Sequence, residues 1–168
     1  MVRNRIPLIA WGATAAILAA AIGPSLGRLA QVKVSPHWPD AALWAGEPLK
    51  VQVHVLAAAT ALAIGSAIML KPKGTGFHRT LGWAWTVAMA ATAISSLFIT
   101  DLNDGALSVL HLFSGWTIVA LPLGIAAIRR KGVRTHRGVM TGLFLGGLVL
   151  AGALTFLPGR LMWRLFLG

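Results

Sequence analysis

Four of the five histidines, His54, His78, His111 and His136, stand at or near the starts of four successive apolar segments, one per segment. They are separated by 24, 33 and 25 residues. An imidazole in a hydrocarbon span is a demanding group, because its ring nitrogens cost free energy unless they find a hydrogen-bond partner or an ion. Two imidazoles from facing helices are what six-coordinate haem iron requires, one axial ligand on each face of the porphyrin. The fifth histidine, His37, lies between Pro36 and Trp38 in a proline-rich stretch and reads as a surface residue.

Other chemistry is excluded by what the chain lacks. There is no cysteine, which removes disulfides, thiolate metal sites, iron–sulfur clusters and covalent haem attachment. The four acidic residues, Asp40, Glu47, Asp101 and Asp104, all fall in connections, so no carboxylate proton relay of the pump type runs through a span. No Ser–His–acid set converges on one face, which argues against hydrolysis. The turn Lys71-Pro72-Lys73-Gly74-Thr75-Gly76 lacks the G-K-[ST] order of a phosphate-binding loop and reads as a basic membrane turn.

The elements that position the histidines follow from composition. The chain has 168 residues, 57% hydrophobic and 11% charged, with a mean hydropathy of +0.76. A soluble domain carries about 25% charged residues, so lipid must be the solvent for most of this surface. Apolar runs predict an all-α integral membrane protein with about five transmembrane helices over 6–23, 50–70, 78–100, 106–128 and 136–157, within a single domain. The segment 24–49 holds Pro24, Pro36, Pro39 and Pro48 together with Trp38 and Trp44, and reads as an external loop with a short interfacial helix near Pro39 to Ala45. The first run resembles a signal peptide in its basic start, but its length favours a helix peripheral to a four-helix core. The tail from Arg160 to Gly168 reads as a short amphipathic surface segment.

A formal charge of +11 would point to nucleic acid in a soluble protein. Here it is sorted by side. The N-terminus and the two basic turns hold Arg3, Arg5, Lys71, Lys73, Arg79, Arg129, Arg130, Lys131, Arg134 and Arg137 with no acid, whereas Arg28, Lys33, Lys50, Arg160 and Arg164 share the other side with all four acids. The positive-inside rule then predicts a cytoplasmic N-terminus and a periplasmic C-terminus in a bacterial inner membrane, with the lipid bilayer rather than nucleic acid as partner.

That orientation sorts the histidines into pairs: His54 with His111 near the outer face, His78 with His136 near the inner face. A flat macrocycle between helices also needs small side chains on the ligand's own face, one turn away. Gly82 follows His78 at i+4, Gly115 follows His111, and Ala58 follows His54, whereas His136 is followed by Met140. Arg79 and Arg137, next to the inner pair, are candidates to neutralise haem propionates, with anionic lipid headgroups an equally good partner. From His54 to Leu70 is 16 residues, or ~24 Å of helix, which suits electron transfer across a bilayer. Pro122 within helix four is tolerated in a membrane span, with or without a kink.

The motifs Lys71-Pro72-Lys73-Gly74-Thr75-Gly76-Phe77-His78-Arg79, His111-Leu112-Phe113-Ser114-Gly115-Trp116, His136-Arg137-Gly138-Val139-Met140 and Pro158-Gly159-Arg160 resemble those of a bacterial membrane family, domain of unknown function 2306, over roughly Lys50 to Arg160. That resemblance implies a fold and no reaction. The histidine layout separately resembles the cytochrome b561 family, in which the first and third core helices share one haem and the second and fourth the other. It implies haem iron ligation by His54 and His111 and by His78 and His136. The spacings here are compact, and no ascorbate-site motif is present.

The expected function is therefore transmembrane electron transfer by a dihaem b-type cytochrome, an oxidoreductase partnered by quinone, a small reductant or a redox protein. A haem-free accessory or assembly subunit of a respiratory or photosynthetic membrane complex fits the same residues, with structural histidines and small-residue helix faces. A metal-handling permease is disfavoured by the absence of cysteine, carboxylate or clustered methionine in the spans.

Overall fold

A computed structural model describes residues 33–100 and 110–168. The expected helix over 6–23, residues 24–32 of the external loop, the expected turn 101–105 and residues 106–109 of the expected fourth helix lie outside the described residues. Every regular element among the described residues is a helix, with no strand among them. They fall into two compact units, one of which contains 41–153 and the other 33–40 with 154–168.

The larger unit opens with a short helix, α1 (Ala41–Gly46), and continues with α2 (Leu49–Leu70), α3 (Gly76–Ser96), α4 (His111–Arg129) and α5 (Val133–Leu154). Neighbours in the chain pack on one another, α2 on α3, α3 on α4 and α4 on α5, and the second half of α5 returns to α2. The result is the expected four-helix core. Three of these helices, α2, α4 and α5, are long and apolar enough to cross a membrane. Helix α3 is 21 residues long but begins Gly-Phe-His-Arg-Thr and ends Ser-Ser, so its polar ends lower its apolar character.

Helix boundaries shift from the sequence expectation for local reasons. Helix α3 starts at Gly76 rather than 78, because the Thr75 hydroxyl accepts from the His78 backbone N–H and caps the first turn. It ends at Ser96 rather than 100, where Leu97, Phe98 and Ile99 close by short i→i+3 bonds. Helix α5 begins at Val133 because Arg130, Lys131 and Gly132 complete a tight turn, with Lys131 at φ 60° and the Gly132 N–H bonded to Ala127 O at 2.8 Å. Helix α4 runs on through Pro122, which is exposed, while Thr117, Ala120, Leu121 and Gly124 are buried.

The packing is that of helices whose solvent is lipid. Small residues do much of the inward packing: Ala61 and Gly65 on α2, Ala88 and Ala93 on α3, Ala120 and Gly124 on α4. Large apolar side chains such as Leu56, Leu62, Val87, Ile94, Val119 and Leu123 face outward. Small residues let backbones approach, which is how membrane helices associate where no hydrophobic difference drives them together. At Gly65 a Cβ would meet the Phe144 ring at 2.6 Å and Trp85 Nε1 at 2.8 Å. The centre is filled by Trp85, Met89, Leu143 and Phe144. Within α5, Leu143–Leu150 is π-helical, and its wider turns keep Leu143, Phe144 and Leu148 buried together.

In the smaller unit, backbone N–H groups of Ser35, His37 and Asp40 bond to carbonyls of Leu167, Phe166 and Leu165, tying the 33–40 segment to a short helix α6 (Leu161–Phe166). His37 is exposed as expected, its ring nitrogens facing the Trp38 carbonyl at 2.7 Å and the Gly168 oxygen at 3.2 Å.

Candidate functional site

The four bundle histidines occupy two stations, one at each end of the four-helix core. At the first, His54 stands in the second turn of α2 and points Nδ1 at α3, 3.0 Å from Thr92 O and 3.2 Å from Ser95 Oγ. A carbonyl oxygen only accepts, so Nδ1 carries the proton. The Ser95 hydroxyl donates to Ala91 O at 2.6 Å, which leaves its oxygen free to accept from the same imidazole N–H. Both contacts select one tautomer, with the lone pair on Nε2.

The next residue, Ser96, extends this station to α4. Its hydroxyl donates to Ala93 O at 2.8 Å and is hydrogen-bonded to the Ser114 hydroxyl. Ser114 is buried and lies three residues after His111, the first residue of α4. Adjacent serines at the end of α3 thus reach two neighbouring helices, Ser95 to His54 on α2 and Ser96 to Ser114 on α4, one turn after His111.

At the second station, His136 lies in the first turn of α5 with Nδ1 2.9 Å from Gly124 O on α4. The same argument protonates Nδ1 and leaves Nε2 with the lone pair. Helices α4 and α5 can come this close because residue 124 has no side chain: a Cβ there would meet Met140 Cε at 2.6 Å and Val139 Cγ1 at 3.1 Å. His78, in the first turn of α3, lies within electrostatic reach of His136 and Lys73. Its Nδ1 is buried with no hydrogen-bond partner among the described residues.

The small residues expected beside the histidines divide. Gly82 is half-buried and a Cβ there would meet nothing within 4 Å, so the face of α3 one turn above His78 is open. Ala58 packs against the central cluster. Gly115 is exposed with open space around it, beside the exposed Trp116. Met140, which breaks the small-residue pattern after His136, is the side chain that fills the surface of Gly124. Arg79 and Arg137 are both exposed.

Several residues of the site are not evident from histidine spacing alone. Thr92, Ser95, Ser96 and Ser114 make the polar contacts of α3 with α2 and α4, and the Gly124 carbonyl holds His136. Their sequence signal is a set of hydroxyl residues inside apolar runs, with Ser114 one turn from His111. Trp85 is another: 5% exposed, with its indole N–H unpartnered among the described residues, it sits seven residues after His78 on the same face of α3.

An imidazole whose Nδ1–H is held by a carbonyl of a neighbouring helix presents Nε2 in the state that ligates a metal, with its ring orientation set by a second-shell bond. His54 and His136 are both held in this way. Among the described residues no three His, Asp or Glu side chains gather into a metal-binding group.

These features define a multi-helix all-α membrane protein with a histidine station at each end of its bundle. The family model described as predicted membrane protein, domain of unknown function 2306, matches residues 51–164, and the chain belongs to that family. No curated protein and no solved structure matches it.

Proposed function

We propose that the protein is a dihaem b-type cytochrome of a bacterial inner membrane, carrying electrons between a quinone or small reductant and an acceptor at the opposite face. The observation that carries this reading is the shared arrangement of His54 and His136. Each donates its Nδ1–H to a backbone carbonyl of the adjacent helix, so that each offers Nε2 as a ligand of set tautomer and orientation.

His54 and His111 would hold one haem, and His78 and His136 the other. A bound haem supplies a one-electron couple whose potential follows its axial ligands, their hydrogen bonds and its burial. The residues of the chain do the rest. Ser95 and Thr92 orient His54, the Gly124 carbonyl orients His136, and the open face at Gly82 leaves room beside His78. The buried side chains of Trp85, Met89, Leu143 and Phe144 exclude water from the centre. Arg79 and Arg137 place positive charge at the His78–His136 end, where propionates would be neutralised.

The paired arrangement also favours haem over a bare metal ion, since a structural or catalytic zinc takes three or four protein ligands. The competing reading is a haem-free accessory subunit, whose filled centre and outward apolar faces would serve assembly alone. A visible spectrum separates the two. Purified protein should show reduced-minus-oxidised b-type bands and yield about two haems per chain on pyridine extraction. A colourless, folded protein from haem-replete cells would overturn the cytochrome reading and leave the subunit reading standing.

A further inference from the structure

The end of the bundle that carries His78 and His136 also carries a concentration of positive charge. The α2–α3 connection contributes Lys71 and Lys73, the first turn of α3 adds Arg79, and all three are exposed. The α4–α5 connection contributes Arg130 and Lys131, and the first turn of α5 adds Arg134, again all exposed. The two connections lie at one end, because the start of α2 meets the end of α3 at His54–Thr92, the end of α3 meets the start of α4 at Ser96–Ser114, and the start of α5 meets the last turns of α4 at His136–Gly124. No acidic residue lies in either connection, and neither α3 nor α5 has an acid in its first turn. The N–H-rich starts of these two helices therefore add to the positive field.

Beside these cations stand exposed apolar side chains. Leu70, the residue before Lys71, is 84% exposed, Val133, the residue before Arg134, is 62% exposed, and Phe77, between Lys73 and Arg79, is 50% exposed. A soluble anion would answer the charge but leave these side chains in water. Nucleic acid would answer the charge but has no acyl chain to set against Leu70 or Val133. A phospholipid carries both halves of the complement, a phosphate above and hydrocarbon below.

We propose that this end of the bundle is a docking surface for anionic phospholipid, with the cations holding the headgroups and Leu70, Phe77 and Val133 lying against the acyl chains. The proposal rests on Lys71, Lys73, Arg130, Lys131 and Arg134, all exposed, and so stands whether or not Arg79 serves a haem. Juxtamembrane Lys and Arg attract anionic headgroups over a range limited by salt screening.

The test uses the full chain, purified in detergent and supplemented with phosphatidylglycerol or phosphatidylcholine, reading retained lipid by native mass spectrometry and the unfolding temperature. Phosphatidylglycerol should be retained and raise the unfolding temperature, whereas phosphatidylcholine should do neither. The triple variant R130Q/K131Q/R134Q should lose the phosphatidylglycerol response. Lys50→Gln, near the opposite end of α2, should keep it. If the triple variant fails to insert, wild-type protein decides by salt titration, because the response should vanish by about 0.5 M salt. Equal responses to the two lipids, a response that persists in the triple variant or in high salt, or an equal stabilisation by inorganic phosphate or an oligonucleotide would each overturn the proposal.

Discussion

The Nδ1 atom of His136 lies 2.9 Å from the carbonyl oxygen of Gly124, and that contact exists because residue 124 has no side chain to hold α4 and α5 apart. One glycine thus links helix packing to the tautomer of a candidate ligand. At the other end of the bundle the Thr92 carbonyl and the Ser95 hydroxyl perform the same service for His54.

Gly124→Ala should perturb this station more than the overall fold. The added methyl would meet the flexible end of Met140 at 2.6 Å and the stiffer Val139 at 3.1 Å. An overpacked helix contact costs about 1–3 kcal/mol, with this variant at the lower end because Met140 can turn away. Denaturant unfolding in detergent measures the cost, and the spectrum of any haem bound at this end should shift with it.

Gly65→Ala should be the more damaging substitution. Its methyl would come within 2.6 Å of the Phe144 ring and 2.8 Å of Trp85 Nε1, both on rigid aromatic groups, placing the loss at the upper end of about 1–3 kcal/mol. The same unfolding assay should rank Gly65→Ala below Gly124→Ala in stability. The reverse order would show that α2 is packed less tightly against Trp85 and Phe144 than described.

Met89→Ala tests the centre. Met89 is 1% exposed among Trp85, Leu143 and Phe144, and truncating a fully buried methionine costs about 2–5 kcal/mol. A loss below ~1 kcal/mol in the same unfolding assay would contradict a filled core.

Much of this arrangement is legible in the sequence, and the remainder is not for physical reasons. Apolar runs with basic connections announce the helices, and the four histidines mark themselves because imidazole is costly in lipid. Helix ends are less visible, since a cap such as Thr75 looks like any other loop hydroxyl until its partner, the His78 N–H, is in place. The groups that orient the histidines are harder still. Two of them are backbone carbonyls, of Thr92 and Gly124, and a carbonyl belongs to every residue, so no pattern of side chains points to it. Gly115 shows the converse: at i+4 from His111 it fits the spacing rule, yet it lies on the exposed face of α4 beside Trp116.

The serine contact between α3 and α4 supports a further prediction. Ser114→Ala removes the side-chain hydrogen bond that joins Ser96, at the end of α3, to α4, leaving Ser96 bonded to Ala93 O. The loss should be about 0.5–1.5 kcal/mol. A double-mutant cycle with Ser96→Ala should return a coupling of about 0.6 kcal/mol, as for hydrogen bonds between membrane helices. Zero coupling would remove the serine contact as a link between α3 and α4.

The pairing of histidines across the bundle is tested most directly by counting haems in single variants. His54→Ala and His111→Ala should each lose one haem, with the same spectral component missing from both, while His78→Ala and His136→Ala should both lose the other. Loss of the same component by His54→Ala and His78→Ala, or an unchanged haem content in any of the four, would contradict two stations at opposite ends of one bundle.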